Sequence, residues 1–287
     1  MNIGLFYDMP GKINGCWKVI NNLQKGLRLL GHDVIDNKIC PYTGCLQGGK
    51  ILSRDFPSNT LIGPEIVVLP DGAKEFFRIY KNWVQPAEWV KSYMQQFECT
   101  KDTNIHVWPV GIDTELFPAR DETDAFIYDC FIYYKNVTKQ TPIEKLKRLE
   151  DELTRRGMKY KILTYGQYKQ EELQQAVKDC VFGILLTGTE SQGIGYMEML
   201  SANVPLYVID EKTFLYGTYT FTSDEVSSAP YFDERCGIKC TDMSRFDEFI
   251  DSLYDYEPRQ YILDNHTLEK GAKKYVEILK DIEVSGY

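Results

Sequence analysis

The chain has 287 residues, 43% of them hydrophobic and 26% charged, enough for one large core or two modest ones. Its formal net charge of −9 disfavours nonspecific attachment to nucleic acid or to an anionic membrane, both of which require clustered positive charge. No apolar run reaches the length of a bilayer span, no charged-then-apolar leader opens the sequence, and the eight cysteines form no CxxC pair, so a cytoplasmic protein without a transmembrane segment is expected.

Residues 3–7 read as a first strand. A helix is predicted over 16–30, with Val19, Ile20, Leu23, Leu27 and Leu30 on one face and Gly31 placed to stop it. Val34 and Ile35 make a short second strand. The stretch 40–64, rich in Gly, Pro, Ser and Asn, reads as a loop that could serve an acceptor. Residues 66–69 read as a strand closed by Pro70, 73–95 as a helix broken near Pro86, and 105–108 as another strand. Strands alternating with helices argue for a parallel α/β sheet.

The theme repeats after a charged linker at about 117–124 that contains Pro118. Residues 126–134 form a strand run. Thr141, with Pro142 next and Glu144 three residues on, predicts a capping box that opens a helix through Leu146, Leu149 and Leu153 to Gly157. A strand over 161–164, a helix over 171–180 and apolar strands over 181–187 and 206–209 follow. Residues 211–235 show no clear period. A last helix puts Leu268, Ala272, Tyr275, Val276 and Leu279 on one face.

The most informative stretch lies between the strands at 181–187 and 206–209, where Glu190 and Glu198 bracket Gln192, Gly193, Ile194 and Gly195. A strand, a Gly-bearing loop, a short helix and another strand make half of a nucleotide-binding crevice, beyond the carboxyl ends of the strands. The N–H groups of such a loop and helix start suit a diphosphate. Two carboxylates would repel that diphosphate, but they accept hydrogen bonds well from hydroxyl groups. A diphosphate with hydroxyls on both sides is a nucleotide sugar.

Glu-x7-Glu with Gly193 three residues after the first Glu, then a small-residue helix, Asn203-Val-Pro205 and a strand, resembles the group 1 glycosyltransferases of the GT-B fold. Gln192 stands where the family usually has Phe. Three further stretches resemble the family in the same order: Leu29 to Val34, Trp108 to Phe117 with its Pro-Val-Gly-Ile-Asp, and Phe131 to Lys135. The resemblance covers most of the chain. It implies an α/β fold of two Rossmann-like parallel-sheet domains facing across a cleft. Residues 1–118 would form a short acceptor domain, 119–262 the donor domain, and 263–287 a helix crossing back to the first. It implies retaining transfer from a UDP-, GDP- or ADP-linked sugar to a glycan, lipid or small-molecule acceptor. No metal and no other cofactor is expected, since Asp-x-Asp is missing and no His or Cys cluster has zinc spacing.

The resemblance also implies residue roles. Glu198 would accept hydrogen bonds from the ribose and Glu190 from the donor sugar, with Gln192 between them. Gly193 would let the backbone approach the diphosphate, and Ile194 and Gly195 open the helix that faces it. Lys135 and Lys139 would neutralise the leaving diphosphate, which with Glu190 makes the catalytic set. The family has Arg and then Lys, more widely spaced, so the bidentate fork is missing here. Gly15 would close a Gly-rich loop that meets the diphosphate from the first domain, and Gly166 would border the base. No histidine suits a catalytic base: His32 and His106 read as structural, and His266 lies at a helix start. Simpler readings stay open, with solvated lysines at 135 and 139 and an ordinary turn at 11–15. Two other functions also remain: a non-catalytic nucleotide-sugar binder, and an NAD-dependent oxidoreductase using Gly193, Gly195 and Asp210. Against the latter, Glu198 occupies the third glycine's place.

Overall fold

The computed structural model describes residues 1–46, 55–64, 74–120, 125–136 and 140–285. The strand expected at 66–69 and Lys139 lie outside the described residues. The chain divides into two compact units, Met1–Ile112 with His266 onward, and Asp113–Asn265.

The first unit runs β1 (Asn2–Phe6), α1 (Gly15–Leu29), β2 (Asp33–Asp36), β3 (Tyr42–Cys45), β4 (Leu61–Ile62), α2 (Lys74–Ile79), β5 (Asn82–Gln85), α3 (Glu88–Met94) and β6 (Asn104–Val107). Its sheet has the order β2-β1-β3-β4-β5-β6, with every described pairing parallel. Asn14 starts α1 by accepting the Trp17 N–H at 2.9 Å. At the far end the Gly31 and His32 N–H groups close the Arg28 and Leu27 carbonyls.

Three strands correct the sequence reading. β3 and β4 lie within the stretch expected to be loop, and β5 lies within the expected broken helix. Gly44 makes β3 look like a loop, yet glycine is needed there: a Cβ would lie 2.0 Å from the Tyr275 hydroxyl. β5 is drawn into the sheet by Trp83, fully buried and stacked on Phe77 at 3.9 Å between ring centroids. Tertiary packing of an aromatic strand outweighs the local helical pattern.

The second unit runs β7 (Tyr128–Tyr134), α4 (Ile143–Arg155), β8 (Tyr160–Thr164), α5 (Gln170–Asp179), β9 (Cys180–Leu186), α6 (Ile194–Ser201) and β10 (Leu206–Ile209). An antiparallel hairpin of β11 (Thr213–Tyr216) and β12 (Tyr219–Thr222) follows, then β13 (Gly237–Cys240), α7 (Phe246–Asp251) and α8 (Pro258–Asn265). The main sheet is parallel, in the order β13-β10-β9-β7-β8. Leu146, Leu149 and Leu153 of α4 join Ile132, Phe182 and Ile184 in one apolar cluster.

The expected capping box is not formed. Pro142 is itself the N-cap and no side chain caps α4, because the Thr141 hydroxyl donates to the Lys135 carbonyl instead. The first compact unit runs to Ile112 and the second begins at Asp113. The Phe117 carbonyl accepts from the Ser201 hydroxyl at 2.9 Å and from Arg259 at 3.0 Å, so this segment belongs to the second unit.

The chain ends in α9 (Leu268–Ser285), which packs on α1 in the first unit. Trp108 donates its indole N–H to the Gly271 carbonyl at 2.7 Å, and the Ile112 N–H meets the His266 carbonyl at the same distance. The α1–α9 approach depends on Gly26, where a Cβ would lie 2.4 Å from the Leu268 carbonyl oxygen and 2.8 Å from the Ala272 Cβ. Two effects oppose each other at Gly26→Ala. Helix propensity favours alanine by about 1 kcal/mol, whereas overpacking against backbone costs about 1–3 kcal/mol. The clash should win, and thermal unfolding should show a Tm lowered by several degrees; a raised Tm would mean that the two helices do not pack this closely.

Candidate functional site

β7 and β9 are neighbours in the second sheet, and Tyr134 pairs with Leu186 at their carboxyl ends. The Lys135 N–H extends the ladder by one bond, to the Leu186 carbonyl at 3.0 Å. Lys135 therefore leaves the sheet beside the end of β9, whose loop carries Glu190. Its ammonium lies 2.8 Å from both Glu190 carboxylate oxygens and 4.8 Å from the centroid of the Tyr165 ring. The two side chains are only 20% and 10% exposed. Burial pulls the Lys135 ammonium down, but the charge and hydrogen bonds of Glu190 more than offset that, so lysine titrates above its usual value. It remains a cation at neutral pH.

The loop then turns into α6 through Gly193, at φ +81° and ψ +51°. Only glycine fits, since a Cβ there would also lie 2.1 Å from a Tyr196 ring carbon. The N-cap, Gly193, brings no side chain to the first turn of α6, and that turn holds no acidic residue, so its N–H groups and dipole favour an anion. Ile194, Tyr196, Met197, Glu198 and Met199 are all buried, which fixes the helix in place. Glu198 is 3% exposed. Gln192 is buried as well, its amide nitrogen 3.7 Å from the Met197 sulfur. The residue types that replace the family's Phe and Arg thus both have definite packing or charge partners.

The structure adds two tyrosine side chains, Tyr133 and Tyr168; the sequence points only to the backbone of 166–168 as a border for the base. Tyr168 donates to the Tyr133 hydroxyl at 2.9 Å, and a Cβ at Gly195 would lie 3.1 Å from that same oxygen. Burial pushes the Tyr168 hydroxyl up to about 12, with the Glu198 charge adding to the rise. Burial, and then Tyr168 itself, raises Tyr133 further. Both remain neutral hydrogen-bonding groups at physiological pH. Period-2 alternation was the available signal, since Tyr133 and Lys135 are two residues apart.

Loops around the site are tied by side chains. Gln140 accepts from the Thr189 N–H at 3.2 Å and from its hydroxyl at 3.0 Å, and donates to the Thr213 carbonyl. Asp210 accepts from the Ser227 hydroxyl at 2.8 Å and the Ser228 N–H at 2.7 Å, and pairs with Lys212 at 3.0 Å. The Ser227 carbonyl in turn receives the Glu190 N–H at 3.1 Å.

Of the other expected site residues, Gly166 has φ +81° just beyond β8, with no atom within 4 Å of where its Cβ would be. Gly15 opens α1 in the first unit, and Lys139 is outside the described residues. The His32 ring reaches the chain's amino group at 3.4 Å. His106 lies within β6. Burial pulls His266 down to about 4, with Lys274 and Lys270 adding to the fall. Among the described residues no group of three or more His, Cys, Asp and Glu side chains is placed to hold a metal ion.

The pairing of Lys135 with Glu190 can be tested on stability. Lys135→Met leaves a buried carboxylate without its ammonium and should cost about 3–5 kcal/mol. Adding Glu190→Gln should recover part of that loss in urea unfolding, because the carboxylate charge that Lys135 balanced is then removed. Simply additive losses would show that the two side chains do not interact.

No protein-family model matches the chain, and no curated protein matches it in sequence. Its likeness to known proteins is structural. The glycosyltransferase AviGT4, involved in avilamycin A biosynthesis, matches with a TM-score of 0.65 at 13% identity, covering 99% of this chain and 98% of that one. Sucrose-phosphate synthase from Thermosynechococcus elongatus matches with 0.63 at 10% identity, covering 99% and 100%. An α-glucosyltransferase in complex with UDP and a 13-mer DNA containing a HMU base matches with 0.64 at 9% identity, covering 98% and 99%. The protein has the GT-B fold, the fold of the group 1 glycosyltransferases that its sequence resembles.

Proposed function

We propose that the protein transfers a sugar from a nucleotide-diphosphate donor to a glycan, lipid or small-molecule acceptor, with retention and without a metal ion. The observation that carries this reading is the Lys135–Glu190 contact at 2.8 Å at the carboxyl ends of β7 and β9, next to the start of α6 at Gly193. A cation and a helix N-terminus suit a diphosphate. A carboxylate on each side, Glu190 before the helix and Glu198 within it, suits sugar and ribose hydroxyls. Structural neighbours have been solved with UDP and with ADP.

In the proposed step the bond between the anomeric carbon and the diphosphate oxygen breaks, and its electron pair leaves with the diphosphate. Lys135 and the α6 N–H groups stabilise that developing charge, with Lys139 as a second cation on the strength of its sequence position. The acceptor oxygen bonds to the anomeric carbon, and its proton passes to the departing diphosphate. No side chain is assigned as base. Gly193 supplies the left-handed turn into α6 and Gly195 lets the Tyr133 hydroxyl lie close to the helix start, Ile194 and Gln192 are buried around that turn, and Gly166 leaves room for the base.

The dinucleotide reading is weakened by Asp210, whose carboxylate is already engaged by Ser227, Ser228 and Lys212 and is not offered to a ribose.

UDP, GDP or ADP should raise the Tm while NADH does not, since a ligand confined to the folded state stabilises by about 2.7 kcal/mol at a hundredfold excess over its Kd. Glu198→Ala should weaken nucleotide and full donor alike by about ten- to a hundredfold, as befits a lost hydrogen bond to a charged acceptor. Stabilisation by NADH alone would reverse the assignment. Transfer or donor hydrolysis should also survive excess EDTA; activity lost and then restored by Mn²⁺ would show that a cation, and not lysine, carries the diphosphate charge.

A further inference from the structure

Tyr133 and Tyr168 bring two hydroxyl protons to the start of α6 but share one hydrogen bond, from Tyr168 to the Tyr133 oxygen at 2.9 Å. Each phenol has a single proton to donate. One proton of the pair is therefore left over, and in this arrangement it is that of Tyr133. The side chain is 4% exposed, and no described residue accepts from it. A buried donor without an acceptor is costly, and the neighbouring helix does not supply one. The Tyr133 oxygen lies against Gly195, the second residue of α6, where a Cβ would come within 3.1 Å. The first turn of a helix presents N–H groups, which are further donors. Two residues beyond Tyr133, just past the end of β7, Lys135 adds an ammonium. Three kinds of donor thus lie together at the carboxyl end of β7.

We propose that the Tyr133 hydroxyl donates to the diphosphate of the nucleotide, beside the α6 N–H groups and Lys135, and that Tyr168 is the positioning residue that directs its proton there. This rests on the donor-binding reading and adds a side chain to it. A diphosphate has enough acceptor oxygens to serve all three donors at once. Burial raises the Tyr133 phenol well above its ordinary range, so the proton stays available for donation at neutral and mildly alkaline pH. The cost of leaving that proton without an acceptor falls on the ligand-free protein and is relieved when the anion binds.

Calorimetry with UDP, GDP and ADP tests this on Tyr133→Phe, Tyr168→Phe and the double variant. Tyr133→Phe should weaken the nucleotide that the unmodified protein prefers by about tenfold or more, as for a lost hydrogen bond to a charged group. Its Tm without ligand should be unchanged or raised, because the stranded proton is gone. Tyr168→Phe keeps the Tyr133 donor and should weaken binding by a smaller factor. The double variant should bind as Tyr133→Phe alone does, since Tyr168 acts only through Tyr133; a merely structural role would make the losses add. The double variant strands no hydroxyl at 168, so it carries the comparison where Tyr133→Phe alone fails to fold. Undiminished binding by Tyr133→Phe, or additive losses in the double variant, overturns the proposal while the donor reading survives. If the unmodified protein binds none of the three nucleotides, both fall.

Discussion

Lys135 and Glu190 can meet because β7 and β9 lie side by side and end at the same level, with Tyr134 opposite Leu186. The register is held from inside the unit. Cys130, Ile132, Phe182 and Ile184 face one apolar cluster, and a slip of one residue on either strand would turn that set toward the other face. An ion pair this far from water adds little net stability, since desolvation of both groups opposes their attraction. What it contributes is direction. A buried lysine with no carboxylate is costly, so the loop that carries Glu190 is confined to conformations that bring it there.

Confinement also comes from polar side chains other than the pair itself. Asp210, at the end of β10, holds Ser227 and Ser228, and the Ser227 carbonyl holds the Glu190 N–H. Gln140 holds Thr189 from the other side, and Thr141 holds the Lys135 carbonyl. Loops at strand ends have few apolar contacts, so buried hydrogen bonds decide their geometry. Gly193 supplies the remaining constraint, a left-handed turn over the Tyr196 ring that no side chain would allow.

How much of this is legible in the sequence varies with the range of the interactions. β7, β9 and β10 are continuous apolar runs, the mark of strands buried on both faces, and α4 shows its stripe of Leu146, Leu149 and Leu153 openly. Glu190, Gly193 and Glu198 stand out because their spacing is local. β3 and β5 do not, because what makes them strands lies elsewhere: Tyr275 from α9 against Gly44, and Phe77 stacked on Trp83. Thr141 misled for the same reason, since its hydroxyl has a better partner in the Lys135 carbonyl than in the helix it precedes. The tyrosine side chains are the instructive omission. Tyr133 lies in β7 and Tyr168 in the turn after β8, and their contact beside Gly195 is what gives the two side chains a place at the site.

Charge on the whole chain works against the proposed ligand. A net charge of −9 repels a diphosphate at long range, yet at physiological salt that field fades over about 8 Å. Attraction must then be local, and the described site offers two sources: the Lys135 ammonium and the start of α6. At the helix start the N-cap is Gly193, which brings no side chain of its own to the first turn. Lys135 keeps its charge through the bond to Glu190 at 2.8 Å, and an ammonium with three donors retains capacity for a further acceptor. On the proposed reading, these two local features, and not the net charge, are what would draw a diphosphate to an acidic chain.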